Sequence, residues 1–138
     1  MKIKKRHKIV ILLSLLSMII IMVYNNVNSG IKDTTKIQAE EAFTTNELLL
    51  ELQNEHKNLD DFIEKAIEIE GEIKEITFKA GKYSLILKGD SEKTYILCEM
   101  QTNQNSNIVK LEAGQNIKLK GILKGFLMDI IILHCVII

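Results

Sequence analysis

The stretch Ala66–Phe78 reads AIEIEGEIKEITF, and its alternation decides the fold. Ile67, Ile69 and Ile73 fall on one face, with Gly71 between them, while Glu68, Glu70 and Glu72 fall on the other. Period-two alternation marks a strand with one face buried. Beyond Ile73 the apolar set slips to Ile76 and Phe78, an even-numbered phase. A strand that changes phase without breaking needs a bulge, here near Lys74–Glu75. A bulge or a glycine lets one strand bend around a barrel corner. Such a strand pairs with two neighbours and closes a small barrel.

The chain that follows supplies those neighbours. Lys79-Ala80-Gly81 makes a short turn into a strand at Lys82–Lys88, where Tyr83, Leu85 and Leu87 alternate with Ser84, Ile86 and Lys88. Gly89-Asp90-Ser91-Glu92 turns again, and Thr94–Gln101 follows with Ile96, Cys98 and Met100 on one face and Tyr95, Leu97 and Glu99 on the other. Thr102–Asn107 is a polar, biased loop, and Ile108–Ala113 is expected to form about a turn and a half of helix ending at Gly114. Gln115–Leu123 sets Ile117, Leu119, Gly121 and Leu123 against Lys118, Lys120 and Lys124, with Lys124-Gly125 expected to turn the chain. The last strand, Leu127–Ile137, is apolar on both faces except for Asp129 and His134. It must therefore be covered on its outer side, and a helix carrying Leu48, Leu49 and Leu52 is the available cover.

Upstream, Thr44 and Glu47 have capping-box spacing and open an amphipathic helix over Thr45–Glu55. A second short helix starts near Asn58, with Asp60 and Asp61 in its first turn. Asn25–Gln38 is polar and without period, a tether. Before it stands Ile9–Tyr24, sixteen residues broken only by Ser14 and Ser17, which as a helix covers about 24 Å. That is somewhat short of the ~30 Å apolar core of a bilayer. It serves as an uncleaved membrane anchor or as a signal segment cleaved after Val27-Asn28-Ser29. Lys2, Lys4, Lys5, Arg6 and Lys8 precede it, and because such basic residues stay inside, both readings export the remainder.

The chain of 138 residues has a net charge of zero, which hides an asymmetry. With those five bases set aside, thirteen remain against eighteen acids, a body of about −5. An acidic body with six aromatics is a poor phosphate-binding surface, which needs clustered Lys and Arg.

Five strands with a short helical piece between the third and fourth follow the order of the OB-fold barrel. In IEIEGEI (67–73), YILCEM (95–100), LEAGQNIKLKG (111–121) and KGFLMDIIILHCVII (124–138) the chain resembles the tRNA-anti-like family of short exported or membrane-anchored bacterial OB-fold proteins. The resemblance covers about Ala42–Ile138. In that family a glycine in the first strand, a Cys in the third, and an Asp followed six residues later by a Cys recur, matched here by Gly71, Cys98, Asp129 and Cys135. The resemblance implies a barrel and brings no known activity or catalytic residue with it. The expected architecture is mainly β: a five-stranded OB-fold barrel preceded by one or two short helices, with an N-terminal transmembrane or signal helix. Its expected divisions are residues 1–24, the basic N-terminus and anchor; 25–38, the tether; and 39–138, the barrel with its helices.

Cys98 and Cys135 lie on strands that neighbour each other in an OB barrel. They stand either as a disulfide, closing a loop of 36 residues worth about 3–4 kcal/mol, or as buried free thiols. His134 beside Cys135 points to the opposite face, so the two share an ion poorly. His56 sits near the end of the first short helix, where an imidazole suits the helix dipole. Glu68, Glu70 and Glu72 are solvated outward carboxylates, and no acid pair, Ser/His/Asp set or phosphate loop is recognisable. No metal or cofactor is expected. The candidate ligand face is Ile86, Tyr95 and Leu97, on the side where OB folds bind, with Lys88 and Lys93 nearby.

Together these observations point to a non-enzymatic OB-fold module, anchored in the inner membrane through Ile9–Tyr24, that binds a protein, peptide or glycan in the bacterial cell envelope. The alternative is a domain that binds single-stranded DNA or RNA, for which Lys118, Lys120 and Lys124 offer the best support.

Overall fold

The computed structural model describes residues 5–28, 33–53, 59–89 and 94–138. The chain falls into two units, Met1–Lys32 and Asp33–Ile138.

The first unit is one helix, α1 (Lys5–Asn28). Every described side chain from Ile9 to Tyr24 is exposed, so the helix is apolar on all sides, and His7–Tyr24 is apolar enough to cross a membrane. The helix runs past the apolar run at both ends, and its 24 residues cover about 36 Å rather than the 24 Å of Ile9–Tyr24 alone. The apolar part, His7–Tyr24, covers about 27 Å, consistent with a transmembrane or signal helix.

The second unit is a closed five-stranded barrel with a short extra strand. Its elements are β1 (Glu41–Thr44), α2 (Thr45–Gln53), β2 (Ala66–Lys79), β3 (Lys82–Lys88), β4 (Ile96–Met100), α3 (Asn105–Ile108), β5 (Asn116–Phe126) and β6 (Ile130–Ile137). The sheet runs β1-β2-β3-β4-β6-β5 and closes through β2–β5. The fourteen-residue β2 achieves this by serving two neighbours in turn. Ala66–Glu72 pairs with β5 and Glu72–Lys79 with β3, and the register jumps between Ile73 and Glu75, where Lys74 bulges. The phase change in AIEIEGEIKEITF is that bulge, and Ile67, Ile69 and Ile73 are fully buried on one side of it.

The core joins those three isoleucines to Leu85 and Leu87 of β3, Ile96, Cys98 and Met100 of β4, Leu119 and Leu123 of β5, and Ile132 of β6. Leu48 and Leu49 of α2 and Phe43 of β1 cap it, and Phe43 meets Phe62 edge-on at 5.7 Å. The capping box forms as its spacing predicts. The Thr44 amide donates to Glu47 Oε2 at 2.7 Å, and the Glu47 amide donates to Thr44 Oγ1 at 3.2 Å.

Five features depart from the sequence reading. β1 pairs in parallel with Ile67–Glu70, a strand of four residues too short to show a period. The polar segment is folded from Asp33 on: Asp33 caps a 3-10 turn at Thr34–Lys36, and Thr34 is buried against Gln101. This turn packs against β5 and β6, whereas α2 packs chiefly against β1 and β2, so the N-terminal turn rather than the leucine helix lies against β6. The biased segment at 102–107 forms a 3-10 turn at Thr102–Gln104 and then α3, and helix ends there rather than continuing over Ile108–Ala113. Gln104 orders it by accepting a hydrogen bond from the Ile137 amide at 3.3 Å. Finally, Lys124-Gly125 lies inside β5, and the β5–β6 turn is Leu127–Asp129. The expected helix start at Asn58, the residues His56 and Lys93, and the turn at Asp90-Ser91-Glu92 lie outside the described residues.

Candidate binding face of the barrel

Alternation along β3, β4 and β6 fixes which side chains point outward. Leu85, Cys98 and Ile132 are register partners in the core, so the next set, Ile86, Leu97 and Ile131, faces away from it. Ile86 pairs directly with Leu97, and Leu97 with Ile131, giving an unbroken aliphatic row across three strands. All three are half-buried. The row ends on Glu75 of β2 at one side and Gly125 of β5 at the other. Adjacent outward positions carry Ser84 and Glu99, and Glu99 holds Lys82 at 2.7 Å.

Tyr95 stands at the head of β4, and its place is fixed by backbone and ring together. Its amide donates to Asp129 Oδ1 at 3.0 Å, and its carbonyl accepts from the Ile130 amide at 3.0 Å. The Lys74 ammonium lies 3.6 Å from its ring centroid, a cation–π contact that occupies one face of the ring. The β2 bulge thus aims Lys74 at Tyr95. At the β2–β3 turn the exposed Phe78 packs against Tyr83, with ring centroids 4.6 Å apart.

Of the predicted face residues, Ile86 and Leu97 form one pair, and Tyr95 sits beside them under Lys74. Ile131 was not visible as a member, because its strand is apolar on both sides and alternation there is mute. The register of Leu97 is the signal that finds it.

The lysines of β5 look elsewhere. Lys118 pairs with Glu68 at 3.0 Å and Lys124 with Glu64 at 2.7 Å, while Lys120 donates to the Thr35 carbonyl at 3.3 Å. The row is therefore engaged with the barrel's own acids and backbone. Such exposed pairs contribute under about 1 kcal/mol each, but they leave little uncompensated positive charge for a phosphate chain.

Cys98 and Cys135 are both fully buried free thiols. Burial pushes the Cys135 thiol well above its ordinary value, helped by its hydrogen bond with Cys98, and Sγ also meets the Ile132 carbonyl at 3.5 Å. His134 occupies a bulge with φ +56°, half-buried. Among the described residues no three His, Cys, Asp or Glu side chains gather as a metal site would need.

The family model for tRNA_anti-like matches residues 1–137. The chain belongs to the tRNA_anti-like family. No curated protein matches it. Among solved structures, a Klebsiella pneumoniae lipoprotein proposed to bind nucleic acid is similar at 15% identity with a TM-score of 0.55, over 75% of this chain and 93% of that one. The S. pombe Stn1-Ten1 complex is similar at 16% identity with a TM-score of 0.42, over 50% of this chain, and the match spans about half, 53%, of that chain. At these identities the likeness is one of fold, the OB barrel.

Proposed function

We propose that this tRNA_anti-like protein is a non-enzymatic binding module of the bacterial cell envelope. Its N-terminal helix anchors it with the basic end inside and the barrel outside, and the outer face of β3, β4 and β6 takes a protein or peptide partner, or a glycan. The observation that carries this reading is the Ile86–Leu97–Ile131 row. Three aliphatic side chains aligned across a sheet offer contact by apolar burial, about 25 cal/mol for each Å² removed from water. Glu75 stands at one end of the row while Glu99 beside it is paired with Lys82, so the row carries little uncompensated charge and suits a neutral ligand. The placement rests on α1 and on the charge bias of Lys2, Lys4, Lys5, Arg6 and Lys8.

A second reading, binding of single-stranded nucleic acid, has a specific observation in its favour. The Klebsiella pneumoniae neighbour is described as a lipoprotein proposed to bind nucleic acid, and here the exposed Phe78 ring, packed on Tyr83, offers a surface for a base to stack on. Titrating the detergent-solubilised protein with single-stranded DNA and RNA at low and moderate salt separates the two. The proposed function predicts no binding even at low salt. Tight binding that falls steeply with salt would replace it with the second reading.

A further inference from the structure

The β5–β6 turn leaves its largest side chains with nothing to pack on. Leu127 is 92% exposed and Met128 85%, and Phe126 before them is 40% exposed. No other described side chains of the barrel unit are so apolar and so bare together. The turn is built to hold them out. Gly125 takes φ +143° to bend the strand end, and the Leu127 amide donates to the Asp129 carbonyl at 3.2 Å to close the bend. The flanking charges are drawn away from the tip. Lys124 turns back to Glu64, and the Asp129 carboxylate turns inward to the Tyr95 amide. What remains at the apex is an uncharged Phe-Leu-Met triplet, whose exposure to water is unfavourable unless something covers it.

We infer that this tip inserts into the lipid bilayer surface, resting on the membrane placement given above. A bilayer is the one apolar phase that the chain itself brings within reach. Residues 29–32 are all that separate α1 from the barrel unit, a link of under about 20 Å even fully extended. A short anchor therefore keeps the barrel at the interface, where a Phe-Leu-Met tip without charge partitions into the boundary between headgroups and acyl chains. The tip then supplies a second attachment to the membrane, through the β5–β6 end of the barrel.

The chain contains no tryptophan, which makes a direct test simple. Leu127→Trp and, as a reference, Val109→Trp at an exposed site beyond the opposite end of β5, are each reconstituted as full chains in phosphatidylcholine–phosphatidylglycerol vesicles. Flotation with the vesicles is scored first, then quenching by phospholipids with brominated acyl chains. Insertion predicts that both variants float, that Leu127→Trp emits to the blue and loses most of its intensity to bromine, and that Val109→Trp is unaffected. If both variants float and Leu127→Trp is not quenched, the insertion is wrong while the anchored placement stands. A blue shift without bromine quenching would assign the tip to a protein contact and equally overturn the inference. If neither floats, the membrane placement fails and the inference with it.

Discussion

Gly121 lies against the back of the strand that carries both Ile132 and Cys135. A Cβ there would stand 2.5 Å from Ile132 Cγ2, 2.6 Å from Cys135 Sγ and 3.2 Å from the Leu133 carbonyl oxygen. Two of these are buried core atoms and one is backbone, so none can step aside freely. At Gly71 the three atoms nearest the added carbon all belong to the Thr45 side chain, with no backbone atom among them. Gly121→Ala is therefore expected to lower unfolding free energy by about 1–3 kcal/mol in urea titration, and Gly71→Ala by less. Equal losses would contradict the packing. The neighbouring thiols give a second residue-level test. Buried as it is, Cys135 ionises only well above its ordinary 9.0, so stability is fully present at neutral pH and falls as pH rises past the value of the unfolded thiol. Iodoacetamide at pH 8 should label neither cysteine in the folded protein and both after denaturation without reductant. Two labels on the folded protein would deny the burial, and none after denaturation would mean that the pair had closed into a disulfide.

At the scale of elements, the Thr44–Glu47 box is the most localised device. Thr44→Ala removes the acceptor for the Glu47 amide and should cost about 0.5–2 kcal/mol, read as a lower urea midpoint with an unchanged slope. That box was legible because a cap is a fixed spacing of two residue types. So was β2, whose bulge is written in the slip from odd to even positions, and so was the Ile86–Leu97 pair, set by alternation. Elsewhere the code carries no period. β1 is four residues long and is stabilised by its parallel partner rather than by its own sequence. Residues 102–107 look unstructured by composition, yet the Gln104 side chain, fixed by the Ile137 amide, holds them in helical turns. β6 is apolar on both faces, so the sequence could not separate Ile131, which lies outward, from Ile130 and Ile132, which lie inward. The same ambiguity placed the β5–β6 turn at Lys124-Gly125 and so hid the exposed Leu127 and Met128.

For the whole molecule, charge and hydropathy divide the chain into parts with different solvents. The apolar run Ile9–Tyr24 with bases before it, and a body of about −5, support the proposed anchored domain over a polyanion binder. The β5 lysines, read in sequence as a basic row, spend themselves on Glu68, Glu64 and the Thr35 carbonyl. No sequence pattern reveals such pairing, because it joins residues some fifty or more positions apart. The central claim is that the Ile86–Leu97–Ile131 face meets a non-nucleic-acid partner. It is tested most directly by placing a photo-cross-linking residue at Leu97 of the full-length protein in its native membrane, with Lys118 as the reference position. The account predicts a discrete adduct from Leu97 that is removed by protease or glycosidase and resists nuclease, with none from Lys118. An adduct that nuclease removes, or cross-linking from Lys118 and not from Leu97, would contradict it.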